Sequence, residues 1–114
     1  MVAMSASPLL RRYAFLLHLR PGAEAEYDAA HCAVWPEMLA LLKRAGICEY
    51  SIYRRETLLV LTLRCPDFEA TWRIIENDPV NLRWQAAMAP FFVSAENLRI
   101  GERFPMLEEV FYLA

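Results

Sequence analysis

The sequence predicts a single α+β domain in the order β-α-β-β-α-β, with four antiparallel strands and helices on one face of the sheet. Three observations carry this prediction. Short, evenly apolar runs bounded by turn residues recur at 13–20, 47–65 and 106–113. Between them lie segments with helical spacing and helix-start residues. The 114 residues, 57% of them apolar, suffice for one compact core and not for two.

Each element has a local reason. YAFLLHLR (13–20) is too short and too evenly apolar for a surface helix, and Pro21-Gly22 ends it, so it reads as a strand buried on both faces. AEAEYDAAH favours helix by composition and sets Tyr27 and His31, four apart, on one face. A kink is expected near Val34-Trp35, because Pro36 suits the first turn of a new helix. Leu39, Leu42 and Lys43 follow at helical spacing, and Gly46 suits a left-handed stop. ICEYSIYRRETLLVLTLRC reads as a hairpin turning at 54–57. Strict alternation in its first arm would place Cys48, Tyr50 and Ile52 on one side and Ile47, Glu49, Ser51 and Tyr53 on the other. Asp67 is a good cap for a helix carrying Phe68, Trp72 and Ile75 on one stripe. Asp78-Pro79 restarts a helix through VNLRWQAAMA, which Pro90 stops. The stretch 94–105 reads as irregular, and MLEEVFYL as a closing strand. Residues 1–12 are expected to be a flexible N-terminal extension to a domain spanning 13–114.

This order is the split βαβ plan, and it poses a burial problem. Helices cover one face of the sheet, yet the first, third and last strands are apolar on both, so a homodimer packing two sheets face to face is expected.

Composition narrows the function. Twelve basic and 14 acidic residues leave a net charge of −2 without a long run of either sign, which argues against nucleic-acid and membrane partners. The N-terminal apolar stretch is too short for a signal sequence, and its arginines follow it. Cys32, Cys48 and Cys65 are widely spaced and odd in number, which fits reduced thiols in a cytoplasm better than a disulfide framework or a zinc site. With three glycines there is no Gly-rich phosphate loop, and neither paired metal-spaced histidines nor a G-x-S-x-G elbow occurs. No cofactor is expected.

Imidazole chemistry has two candidates. His18, among leucines in a strand, reads as a core or barrel-lining residue. His31 closes a helix just before the kink, where it could either complement the helix dipole or project into a cleft. Tyr27, Trp35, Tyr50, Tyr53, Trp72, Trp84 and Tyr112 combine an apolar face with a polar handle, as sugar binding requires. On spacing alone Trp72 reads as core, Trp84 as core or pocket wall, and Glu37, Glu108 and Glu109 as capping or edge charges.

Taken together, Tyr27-x-x-x-His31, V-W-P-E at 34–37, the Gly46 turn, EYSIY at 49–53, Arg83-Trp84 and the ending EEVFYL resemble the L-rhamnose mutarotase family, from about Tyr13 to the C-terminus. The resemblance implies a ferredoxin-like subunit, a dimeric α/β barrel and cofactor-free epimerisation at the anomeric carbon of a small pyranose, a monosaccharide such as L-rhamnose. It also implies that His31 is the proton donor and that Tyr27, Tyr50 and Trp84 contact the sugar. The sequence departs from the family pattern at Cys32, where a polar residue such as Asn is usual, and at Gln85, where a second tryptophan is common. The turn after Tyr53 is shorter than usual, and the polar N-P-D-N-type loop is replaced by SAENLRIGERF, which keeps only Asn97 of that character. Two alternatives stand beside the mutarotase: a non-catalytic sugar-binding homodimer, and a cofactor-independent oxygenase on the same scaffold. An oxygenase would need a larger apolar cavity, a mutarotase a pocket with polar walls.

Overall fold

The structure is a computed structural model describing residues 9–114. The expected extension therefore lies mostly outside the described residues, and the first strand starts at Arg11, inside it. The chain runs β1 (Arg11–His18), α1 (Glu24–His31), α2 (Pro36–Arg44), β2 (Cys48–Arg55), β3 (Leu58–Cys65), α3 (Phe68–Ile75), α4 (Pro79–Met88) and β4 (Met106–Leu107). The strands form one antiparallel sheet of order β2-β3-β1-β4.

Both expected crossovers are pairs of helices. Pro36 opens α2 at its first turn, where its missing N–H costs nothing. The helix ends in a Schellman motif: Gly46, at φ +99°, donates to the Lys43 carbonyl and Ile47 to that of Leu42. The Asp67 carboxylate caps α3 by accepting from the N–H groups of Glu69 and Ala70, and Asp78 caps α4 by accepting from Val80.

One face of the sheet is core. Leu59, Leu61, Leu63 and Cys65 alternate along β3 and, with Phe15 of β1, pack against Leu41, Phe68, Ile75, Trp84 and Met88 from the helices. Ala14, Leu16, Leu58, Val60 and Thr62 point the other way and remain half-buried at most. β1 and β3 are thus apolar on both faces, as expected, with helices over only one.

Two strand expectations are corrected. Alternation along β2 breaks at a bulge between Cys48 and Ser51, where Glu49 sits at φ +49°. The extra residue inverts the parity before Tyr50, so Ile47 joins Tyr50 and Ile52 in the core cluster while Cys48 is exposed. The closing strand is shorter than expected: only Met106 and Leu107 pair with β1. Beyond these paired residues Val110, Phe111 and Leu113 stand at 92%, 79% and 80% exposure.

The Schellman turn joins α2 to β2 and is sensitive to a side chain at its left-handed residue. A methyl at Gly46 would meet the Pro66 ring at an ordinary 3.6 Å, so the cost is conformational. Gly46→Ala is expected to lower unfolding stability by about 1–2 kcal/mol in urea titration.

Candidate functional site

Between the core face of the sheet and the helices lies a cavity of about 500 Å³, within the usual range for small-molecule sites. All four residues singled out for catalysis or sugar contact line it: His31 and Tyr27 from α1, Tyr50 from β2 and Trp84 from α4. A smaller adjoining cavity of about 230 Å³ shares His31, Tyr50 and Trp84 and extends toward Val34 and Met38.

The helix break explains the position of His31. α1 stops at His31, residues 32–35 turn the chain, and Trp35 in extended backbone (ψ 135°) leads into Pro36. His31 therefore stands at an open helix end instead of inside a continuous helix. Its Nδ1 donates to the Tyr27 carbonyl at 2.9 Å, one turn earlier. A carbonyl can only accept, so Nδ1 carries the proton in the neutral ring, and Nε2 is left as the lone-pair nitrogen.

Aromatic rings fix the imidazole. The Tyr27 ring lies 4.1 Å from it, centre to centre, and Trp84 meets it edge-on at 5.5 Å. Trp35 packs edge-on against Trp84 at 5.0 Å, so the residue before Pro36 braces the cavity wall from behind. α1 is tied to the hairpin by a bidentate pair in which Arg54 Nε and Nη2 donate to the two Asp28 carboxylate oxygens at 2.7 and 2.6 Å. Asp28 lies between Tyr27 and His31 in sequence, so this clamp holds the helix turn that presents them.

The phenols are kept neutral. Burial, reinforced by Asp28, pushes the Tyr27 hydroxyl up to about 12, and burial, reinforced by Tyr27, pushes Tyr50 up as well. Both remain O–H groups at neutral pH, able to donate to sugar oxygens. Among the described residues no carboxylate lines the cavity, and Arg103 is the only lining side chain with a permanent charge.

Other placements differ from expectation. His18 is exposed at the end of β1 and sits at the cavity rim, which excludes the core reading. Trp72, read as core, is half-buried and forms part of the wall. Phe15, Phe92, Arg103 and Phe104 also line the cavity without having been singled out. For Arg103 and Phe104 the sequence carried no periodic signal, because they come from the irregular 94–105 segment.

The raised phenols set a pH dependence. Their folded-state pKa values lie above the ordinary value of about 10, so folding stability is complete below that pH and falls as pH rises from about 10 toward 12. Urea unfolding across that window is expected to show the decline, and Tyr27→Phe to make it shallower.

Comparison with known proteins agrees with this geometry. The L-rhamnose mutarotase family model matches residues 12–113. The L-rhamnose mutarotase of Bacteroides thetaiotaomicron is 34% identical over 106 residues, covering 91% of this chain and 99% of that protein. The crystal structure of an L-rhamnose mutarotase from Formosa agariphila superposes with a TM-score of 0.73 at 29% identity, covering 91% of this chain and 99% of the other. Tetracenomycin F2 cyclase from Streptomyces glaucescens, a type-II polyketide cyclase, superposes with a TM-score of 0.66 at 12% identity over 91% of this chain and 97% of that one, a likeness of fold alone. The family match spans nearly all of the domain, and on that ground the chain belongs to the L-rhamnose mutarotase family.

Proposed function

We propose that the cavity around His31 opens and recloses the pyranose ring of L-rhamnose or a closely related sugar. The chain is an isomerase that interconverts sugar anomers, as its family membership establishes. The observation that carries the assignment of its site is the tethered imidazole: Nδ1 held by the Tyr27 carbonyl, Nε2 left over, and three hydrogen-bonding aromatics around the same cavity.

The chemistry follows from that arrangement. In its protonated form His31 gives its Nε2 proton to the ring oxygen as the bond from that oxygen to the anomeric carbon breaks. The anomeric hydroxyl loses its proton to water as its oxygen becomes the aldehyde carbonyl. Water is the acceptor, since among the described residues no acidic side chain lines the cavity and both phenols are held protonated. Rotation about the bond between C1 and C2 exposes the other carbonyl face. Reclosure reverses the proton movements, with neutral Nε2 recovering its proton from the attacking hydroxyl. Tyr27 and Tyr50 orient sugar hydroxyls, and the Trp84 indole stacks against sugar C–H bonds. The polar groups in this wall favour sugar chemistry over the apolar chamber an oxygenase would need.

The working form we propose is a homodimer, completed as an α/β barrel by two ferredoxin-like subunits. Support comes from the uncovered apolar sheet face and from the exposed arm carrying Val110, Phe111 and Leu113. Unpaired Cys32, Cys48 and Cys65 suit a reducing compartment, and we place the enzyme in the cytoplasm. No helix among the described residues is long and apolar enough to cross a membrane.

Saturation-transfer NMR on L-rhamnose tests the site. Wild-type protein is expected to accelerate anomer exchange and His31→Ala to lose about 10²–10⁴-fold of that acceleration. Retention of full activity in His31→Ala would refute the assignment. Light scattering is expected to give twice the chain mass for the full protein and a shift toward monomer when the chain is cut after Glu109.

A further inference from the structure

We propose that Arg103 is a positioning residue that holds the 94–105 segment against α3 and thereby sets Phe104 as a wall of the sugar cavity. The inference rests on the cavity around His31 being the sugar site.

The 94–105 segment has little to hold it in place by itself. It contains no helix or strand, Asn97 and Gly101 take positive φ, and Ile100 is fully exposed. Its own bonds are local: Arg99 N–H donates to the Glu102 carboxylate, and Glu102 N–H to the Arg99 carbonyl. Near its end, however, the segment is fastened to the body of the domain at three consecutive residues: the Pro105 carbonyl accepts from the Leu16 N–H of β1 at 3.1 Å, and Arg103 and Phe104 before it hold by their side chains.

Arg103 supplies the polar fastening. Its Nε and Nη2 donate to the two Glu76 carboxylate oxygens at 2.9 Å each, and its Nη1 donates to Glu69. Glu69 lies in the first turn of α3 and Glu76 caps its end. With Trp72 between them at helical spacing, the guanidinium spans the helix on the side that bears a cavity-wall indole. An isolated surface ion pair is worth little, but here one planar fork engages two carboxylates, one of them bidentately, and stays largely covered at 23% side-chain exposure. The same bonds hold the Glu76 carboxyl below the usual range.

Phe104 supplies the apolar fastening. Its ring stacks on Phe15 at 4.6 Å and 19°, and meets Trp72 edge-on at 5.5 Å. Both Arg103 and Phe104 line the cavity, as do Phe15 and Trp72. Because Arg103 and Phe104 are adjacent in a bend of the chain, fixing the Arg103 guanidinium on α3 limits where the next side chain can fall. An aromatic ring thus stands at the site in a segment without helix or strand, and Arg103 keeps it there. The guanidinium itself is satisfied by carboxylates, so it acts on the sugar through Phe104 and not by direct contact.

The test combines amide hydrogen exchange with the kinetics of L-rhamnose anomer exchange. In Arg103→Gln, exchange over 94–105 is expected to quicken by about ten- to hundredfold while β1, β3 and α3 keep their protection. KM is expected to rise by about tenfold with kcat nearly unchanged, because His31 is untouched. Arg103→Lys, which can keep one carboxylate contact, should recover part of the KM. Phe104→Leu should raise KM without loosening the segment, separating the wall from its fastening. Should Arg103→Gln fold poorly, Glu76→Gln breaks the bidentate pair with the arginine in place and should give the same pattern. Unchanged amide exchange and KM in a well-folded Arg103→Gln would overturn the inference, as would a fall in kcat at constant KM. A wild type that exchanges no anomers would overturn the sugar reading of the cavity, and with it the role of this wall.

Discussion

The site depends on one hydrogen bond, from Nδ1 of His31 to the carbonyl of Tyr27. That carbonyl lies one turn earlier on the same helix, and its second lone pair is available to the ring. The bond does two things at once. It selects the neutral tautomer, and it aims the other nitrogen away from the helix that carries it. A histidine four residues after a tyrosine can make such a bond only if its χ angles bring the ring back along its own helix. Helix geometry allows this, because the Cα–Cβ bond tilts toward the N-terminus and lays the side chain over the preceding turn.

The surrounding sequence secures that arrangement by several independent means. Pro36 prevents the first helix from continuing through the turn, and its rigid φ starts the second helix in a new direction. Trp35, held extended by the proline that follows it, becomes a support for Trp84. Arg54 reaches from the hairpin to Asp28 and fastens the opposite side of the same helix turn. The histidine, tryptophan and proline crowded into 31–36 thus serve a common purpose: each restricts how the imidazole can stand relative to the cavity. Around it, burial keeps two phenols protonated, so these walls can donate hydrogen bonds at neutral pH.

Much of this was legible in the sequence, for local reasons. Pro36, Gly46, Asp67 and Asp78 act through the backbone of their own turns, so each helix boundary they mark could be read without knowing the fold. The pairing of Tyr27 with His31 followed from helical spacing, and the gathering of Tyr50 and Trp84 beside them followed from the family resemblance. What stayed hidden was non-local. The bulge at Glu49 reverses the side-chain parity of β2 and has no signature in alternating apolar residues. The arm beyond Glu109 has the composition of a strand but has no strand partner among the described residues. Trp72 sits on an apolar stripe that also faces the cavity, so periodicity could not separate core from wall. Arg103 meets Glu69 and Glu76 across 34 and 27 residues of sequence, a distance that no local pattern spans.

The proposed mechanism turns on the state of one ring, and long-range ¹H–¹⁵N correlation NMR of His31 reads it directly. At a pH where the imidazole is neutral, Nδ1 is expected to be protonated and Nε2 bare, with an Nε2 resonance that moves when L-rhamnose is added. A neutral ring protonated at Nε2, or an Nε2 resonance indifferent to saturating sugar, would refute the role of His31.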